Sequence, residues 1–179
     1  GPALMDRGER VPRGMLVDSK RQLENVARLA KQFDGASGGR LNVSLAPRFI
    51  LSCSEPLWYD VAALSREQRR LVHTHIAEAP TEGGETKDAV GMHAAPYFEK
   101  HGVLSEHFVG AHGVWLDEEE MGMVRDANAA LVHCPGSNMK LASGWADVAA
   151  WKRHGIRCGI GSDGAACNNR LDTFVEMGL

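Results

Sequence analysis

The 179-residue sequence predicts an α/β protein of the (β/α)8 TIM-barrel type. Helix-like and strand-like segments alternate about every thirty residues, the size of a βα unit. The strand-like segments are short, continuous and apolar, as parallel strands covered on both faces are. Polar residues recur where strands should end, the position at which barrels carry their sites. An open doubly wound sheet also fits the alternation, but its glycine fingerprints are missing after the strands, so the barrel is favoured.

In order along the chain, residues 19–33 place Leu23, Val26, Leu29 and Ala30 on one face of an amphipathic helix. Gly35 to Gly39 break it, and an apolar run from Leu41 to Ala46 follows, stopped by Pro47. A helix over 57–69 precedes a strand from Leu71 to His75. One helix over 86–101 leads to the strand Phe108–His112. Asp117 reads as the N-cap of a helix whose first turn carries Glu118, Glu119 and Glu120, a solvated acidic start that suits the helix dipole. Ala129–His133 and Ile156–Ile160 read as strands around a helix near 147–153, and Leu171 to Leu179 begin a last helix.

Composition narrows the function classes. Hydrophobic residues make up 44% and charged residues 24%, and the net charge is −3 with no basic run. A nucleic-acid partner is therefore not expected. No apolar run reaches the roughly 18 residues of a membrane span, and the N-terminus lacks a signal-peptide layout. The four cysteines are scattered, with no CxxC pair, which reads as reduced thiols in a cytoplasmic protein.

Three strand ends carry chemistry. In His73-Thr74-His75-Ile76-Ala77-Glu78 the two histidines share a strand face and a carboxylate follows. Neutral imidazoles bind transition metals, and a nearby carboxylate can shuttle protons. Histidines packing a strand end would read the same way. His112 ends a second strand, and Asp163 ends a third, where it could equally cap a helix. In a parallel barrel all three ends face one mouth, so His75, Glu78, His112 and Asp163 converge there as ligands, base and proton carrier. His133 and Cys134 are expected to be structural, with Ser137 and Asn138 bonding a loop. His93, His101, His107 and His154 read as surface residues, and Met121 and Met123 as packing.

These motifs resemble the amidohydrolase superfamily, in its branch of guanine deaminases, S-adenosylhomocysteine and 5′-deoxyadenosine deaminases and triazine chlorohydrolases. The resemblance runs through Ala46-Pro47-Arg48, Ser52-Cys53-Ser54, the segment 73–78, Ala111 to Leu116, His133 to Gly144, Gly161 to Ala166 and Asn168 to Asp172. It implies one divalent metal, zinc or iron, with His75 and Asp163 as ligands. Asp163 would also be the base toward the attacking water, Glu78 would protonate the ring nitrogen, and His112 would bond the attacking oxygen. Arg48 and Trp115 would hold the substrate. The implied activity is hydrolytic deamination of an aminated purine or nucleoside-like heterocycle, a step of purine metabolism that releases ammonia. The Arg48 segment leans toward guanine deaminase, the Asp163 segment toward adenosine-type deaminases, and a chlorohydrolase would expel chloride from the same centre. Homodimers are usual in that family.

One departure from the pattern shapes the expectation. The family draws two more ligands from a His-x-His on its first barrel strand, and no such element precedes residue 73. The chain, 1–179, is thus expected to be a partial barrel domain, roughly strands four to eight, lacking the N-terminal strands and C-terminal end of its parent. Two protein ligands hold a metal weakly, so little activity is expected of the piece alone. A non-catalytic barrel serving as a binding or assembly module is the alternative.

Overall fold

The computed structural model describes residues 1–8 and 11–179. Its strands are β1 (Ala3–Leu4), β2 (Ala46–Pro47), β3 (Val72–Ile76), β4 (Phe108–His112), β5 (Ala130–His133) and β6 (Arg157–Ile160). All adjacent pairs are parallel, β1 with β2 and then β3 through β6 in chain order. A parallel bridge from Leu45 to Val72 joins the two pieces. Strands in strict sequential order form a barrel wall; a doubly wound sheet reverses its order at a switch point. The partial barrel stands, with six strands among the described residues where the resemblance gave roughly five. Periodicity could not register β1, a two-residue strand recognisable only through its pairing with Ala46 and Pro47.

The helices are α1 (Ser19–Phe33), α2 (Ala36–Gly39), α3 (Glu55–Gln68), α4 (Glu82–Val90), α5 (Ala94–Lys100), α6 (Glu118–Asp126), α7 (Pro135–Lys140), α8 (Val148–Arg153) and α9 (Thr173–Glu176). Asp18, Ser54, Asp147 and Asp172 cap α1, α3, α8 and α9 with side-chain oxygens. Asp117 caps α6 in a full capping box with Glu120.

Four segments differ from expectation. The helix expected over 86–101 is two, α4 and α5, because Gly91 turns the chain left-handed at φ 79°. Within Leu41–Ala46 only Leu45 and Ala46 pair with neighbouring strands, since the Val43 N–H is taken by the Asp34 carboxylate. The stretch after Cys134 is the helix α7 rather than a loop, with Pro135 pre-set at its first turn. The last helix, α9, is four residues long.

The core lies between strands and helices. Val72, Ile76, Phe108 and Leu131 project outward into it and share one buried cluster with Trp58 of α3, Phe98 of α5 and Trp151 of α8. Trp58 and Phe98 pack edge to face at 5.0 Å, an arrangement the ring quadrupoles favour. Two expected surface groups belong to this interior. His101 is buried, bonded through Nδ1 to the Tyr97 carbonyl and through Nε2 to Glu55. Glu120 is buried too, accepting the Ala95 N–H as well as capping its own helix, so the acidic start is solvated only at Glu118 and Glu119. His133 packs its ring edge-on against Trp145 and Trp151, the expected structural role. Among the described residues no helix is long and apolar enough to cross a membrane.

Candidate metal centre

The inner face of the sheet carries His73, His75, Val109, Ala111 and Val132, paired residue by residue across β3, β4 and β5. At the C-terminal end of β3, His75 Nδ1 lies 2.6 Å from the Arg48 carbonyl. A carbonyl only accepts, so Nδ1 carries the proton and Nε2 keeps its lone pair for a cation. The same carbonyl accepts from the His75 N–H and the Thr74 hydroxyl, which fixes the ring to the end of β2.

His112 is fully buried at the end of β4. Its Nδ1 bonds Asn138 Oδ1 at 2.8 Å. Its Nε2, 3.7 Å from Glu78 Oε2 and 3.9 Å from Asp163 Oδ2, is buried without a hydrogen-bond partner among the described residues. An orphaned imidazole nitrogen between two carboxylates is the observation that fits a metal or a metal-activated water there. His75, Glu78 and His112 each present a ligand atom, all within 4.8 Å of one another. Asp163 stands outside that trio and reaches it through His112.

Asp163 sits just past β6 in a left-handed conformation, φ 58°. Burial alone would raise its carboxyl. The Ser137 hydroxyl at 2.6 Å, the Gly164 N–H and the two imidazoles outweigh that and hold it below the usual carboxylate range. Burial and the neighbouring His112 ring also lower the pKa of His75, which for an imidazole favours the neutral form that binds metal.

The predicted His75, Glu78, His112 and Asp163 are thus brought together, and Arg48 of the substrate pair borders His75 and Glu78. Arg48 is exposed and lines a cleft of about 250 Å³ with Phe49, His75 and Glu78. Trp115 is 52% exposed and donates its indole N–H to the Ser143 carbonyl, which anchors it beside the mouth. Ser137 and Asn138, expected to bond a loop, instead hold Asp163 and His112; α7 turns both toward the centre. Their place directly after His133-Cys134-Pro135 was visible, but which group each would meet depends on the turn of α7. Sequence reasoning missed Glu82, whose buried carboxylate accepts the N–H groups of Ala77 and Glu78.

A sequence profile described as the amidohydrolase family matches residues 4–179. The 5′-deoxyadenosine deaminase of Methanothermobacter thermautotrophicus is 37% identical over 156 residues, which are 87% of this chain and 36% of that protein. The chain therefore spans little more than a third of that relative. An adenosine deaminase from Xanthomonas campestris, solved with bound zinc, superposes with a TM-score of 0.87 at 25% identity, over 97% of this chain and 38% of its own. A guanine deaminase from C. acetobutylicum, solved with guanine in the active site, superposes at 0.82 and 25% identity, over 93% and 41%.

Proposed function

From the premise that this chain belongs to the amidohydrolase family, we propose that the protein carrying it is a metal-dependent deaminase of an aminated purine or purine nucleoside. The observation that carries the reading is the orphaned His112 Nε2 set between Glu78 and Asp163, beside a His75 whose Nε2 is free to bind a cation. His75 and Asp163 would hold one divalent cation, zinc by analogy with the Xanthomonas campestris enzyme. When bound, it supplies Lewis acidity that makes water a nucleophile near neutral pH.

The chain's own groups account for the proton movements. Asp163, kept ionised, accepts a proton from the attacking water. The water oxygen bonds to the ring carbon that bears the amino group, while His112 hydrogen-bonds that oxygen. Glu78 delivers a proton to the adjacent ring nitrogen. The C–N bond then breaks as the amino group takes the proton held by Asp163 and leaves as ammonia, while the new hydroxyl returns its proton to Glu78 and the ring carbon becomes a carbonyl. Arg48 and Trp115, at the rim, hold the heterocycle in place.

Two ligands are fewer than the three or more of a catalytic zinc site, and six strands do not close an eight-strand barrel. We therefore read residues 1–179 as part of a larger barrel domain that supplies the remaining ligands. A homodimer and a cytoplasmic location belong to the same proposal. Ammonia release across 5′-deoxyadenosine, adenosine, S-adenosylhomocysteine and guanine, assayed on the zinc-loaded full-length protein, tests it. Turnover of one of them supports the reading, and a protein that binds zinc yet turns over none contradicts it. Guanine deamination is the second reading, favoured by Arg48 and by the guanine-bound neighbour.

A further inference from the structure

The geometry points to Glu82 as the positioning residue for Glu78, holding the turn between β3 and α4 by its backbone. The inference rests on the reading of Glu78 as proton carrier. Ala77, the residue between the β3 strand and Glu78, adopts a left-handed φ of 48°, which an alanine does not choose unaided. Something must hold it there. Glu82 Oε1 accepts the Ala77 N–H at 2.8 Å, and Oε2 accepts the Glu78 N–H at 2.7 Å, with Ala79 N–H a longer third donor at 3.4 Å. The Glu82 N–H in turn donates to the Ala79 carbonyl at 3.0 Å, closing the loop on itself.

From the other side, the Trp115 N–H donates to the Ala77 carbonyl and the Gly113 N–H to the Ile76 carbonyl. The turn is clamped between a buried carboxylate and the loop that follows His112. Among the described residues no cation is bonded to Glu82, and its acceptor capacity goes to backbone amides. That is an expensive use of a buried carboxylate, since a charge taken from water costs free energy unless donors replace the water. Its effect is to set where the Glu78 side chain starts, and a proton carrier displaced by about 1 Å can lose two orders of magnitude in rate.

A carboxylate that merely starts a helix would leave catalysis alone once the fold is intact. A positioning role predicts more. In Glu82→Gln the shape is kept, but the amide nitrogen faces a backbone N–H and one acceptor is lost. The Ala77 and Glu78 amide protons should move upfield in the NMR spectrum and exchange about tenfold faster, while the Gly110 and Leu131 amides of the neighbouring strands stay as they were. In the zinc-loaded full-length protein the same variant should lose about ten- to a hundredfold in kcat with KM within about twofold of wild type. Unchanged amide exchange overturns the clamp, and a rise in KM at constant kcat overturns the positioning role in favour of substrate contact. If Glu82→Gln does not fold, the wild type still decides the clamp: through-hydrogen-bond coupling from the Ala77 and Glu78 nitrogens to the Glu82 carboxyl carbon must be present, and its absence refutes it. Wild-type protein that shows these couplings but no deaminase activity would remove the proposed function and leave the clamp standing.

Discussion

The His75 and His112 rings stack 5.3 Å apart and 23° from parallel, although strand alternation assigns them to opposite faces of the sheet. Across β3 and β4 the register pairs His75 with Ala111 on the inner face, and His112 with Ile76, which points to the core. His112 escapes that face because its φ is 78°, which breaks the alternation at the last residue of β4. Asn138 then fixes the ring through Nδ1. One backbone departure and one side-chain bond thus bring the His112 ring into the centre.

Replacing Asn138 with leucine should leave the His112 Nδ1 buried and unpaired. An unsatisfied buried polar group costs roughly 1–3 kcal/mol. Urea denaturation should register a loss of that size with an unchanged m-value, and an unchanged midpoint would show that the bond contributes nothing to the fold.

Gly110 marks how tightly β4 is packed behind the centre. A Cβ added there would come within 2.6 Å of Ile76 Cγ2 and 2.9 Å of a Phe108 ring carbon. Gly110→Ala should therefore destabilise the protein by about 1–3 kcal/mol through overpacking, read by thermal or urea unfolding. A variant as stable as wild type would mean that the β3–β4 layer can relax.

The amount legible in sequence follows the physics of each feature. Phe108–His112 and Ser19–Phe33 were read to the residue, because a continuous apolar run and a 3.6-residue periodicity are local signals. The convergence of His75, Glu78, His112 and Asp163 was readable because parallel strands in a barrel share one mouth. The partners that hold these groups were not. Ser137 and Asn138 meet Asp163 and His112 across 26 residues of sequence, through a helix that composition gave no reason to expect. Glu82 lies four residues from Glu78, yet nothing in that spacing says that a buried carboxylate will be spent on backbone amides. His101 was misread as exposed because its partner Glu55 is 46 residues away.

A pH dependence should come from the α1 end. Asp34 accepts the Val43 N–H, burial opposes it, and Arg70 at 2.8 Å adds to the first effect, so its carboxyl titrates below the ordinary 3.8. A carboxylate whose folded pKa is depressed stabilises the protein above its unfolded pKa, and that contribution is lost as pH falls through the folded value. Unfolding free energy should therefore drop below about pH 4, and Asp34→Asn should flatten part of that drop. An identical acid profile in the variant would remove Asp34 from the account.

Metal should tie the two strand ends together. Zinc added to the full-length protein should broaden or shift the His75 ring resonances and raise the melting temperature, since a ligand that binds only the folded state stabilises it. His75→Ala should weaken zinc affinity by at least about tenfold. Equal affinity in the variant would place the cation elsewhere.

The most direct test of the central claim is ammonia release from 5′-deoxyadenosine, adenosine, S-adenosylhomocysteine and guanine by zinc-loaded full-length protein, alongside Glu78→Gln and Asp163→Asn. The wild type should turn over at least one of these, and both variants should lose about a thousandfold or more in kcat, with zinc still bound to Glu78→Gln. Wild-type rates in either variant, or a zinc-loaded protein that releases no ammonia from any of the four, would contradict it.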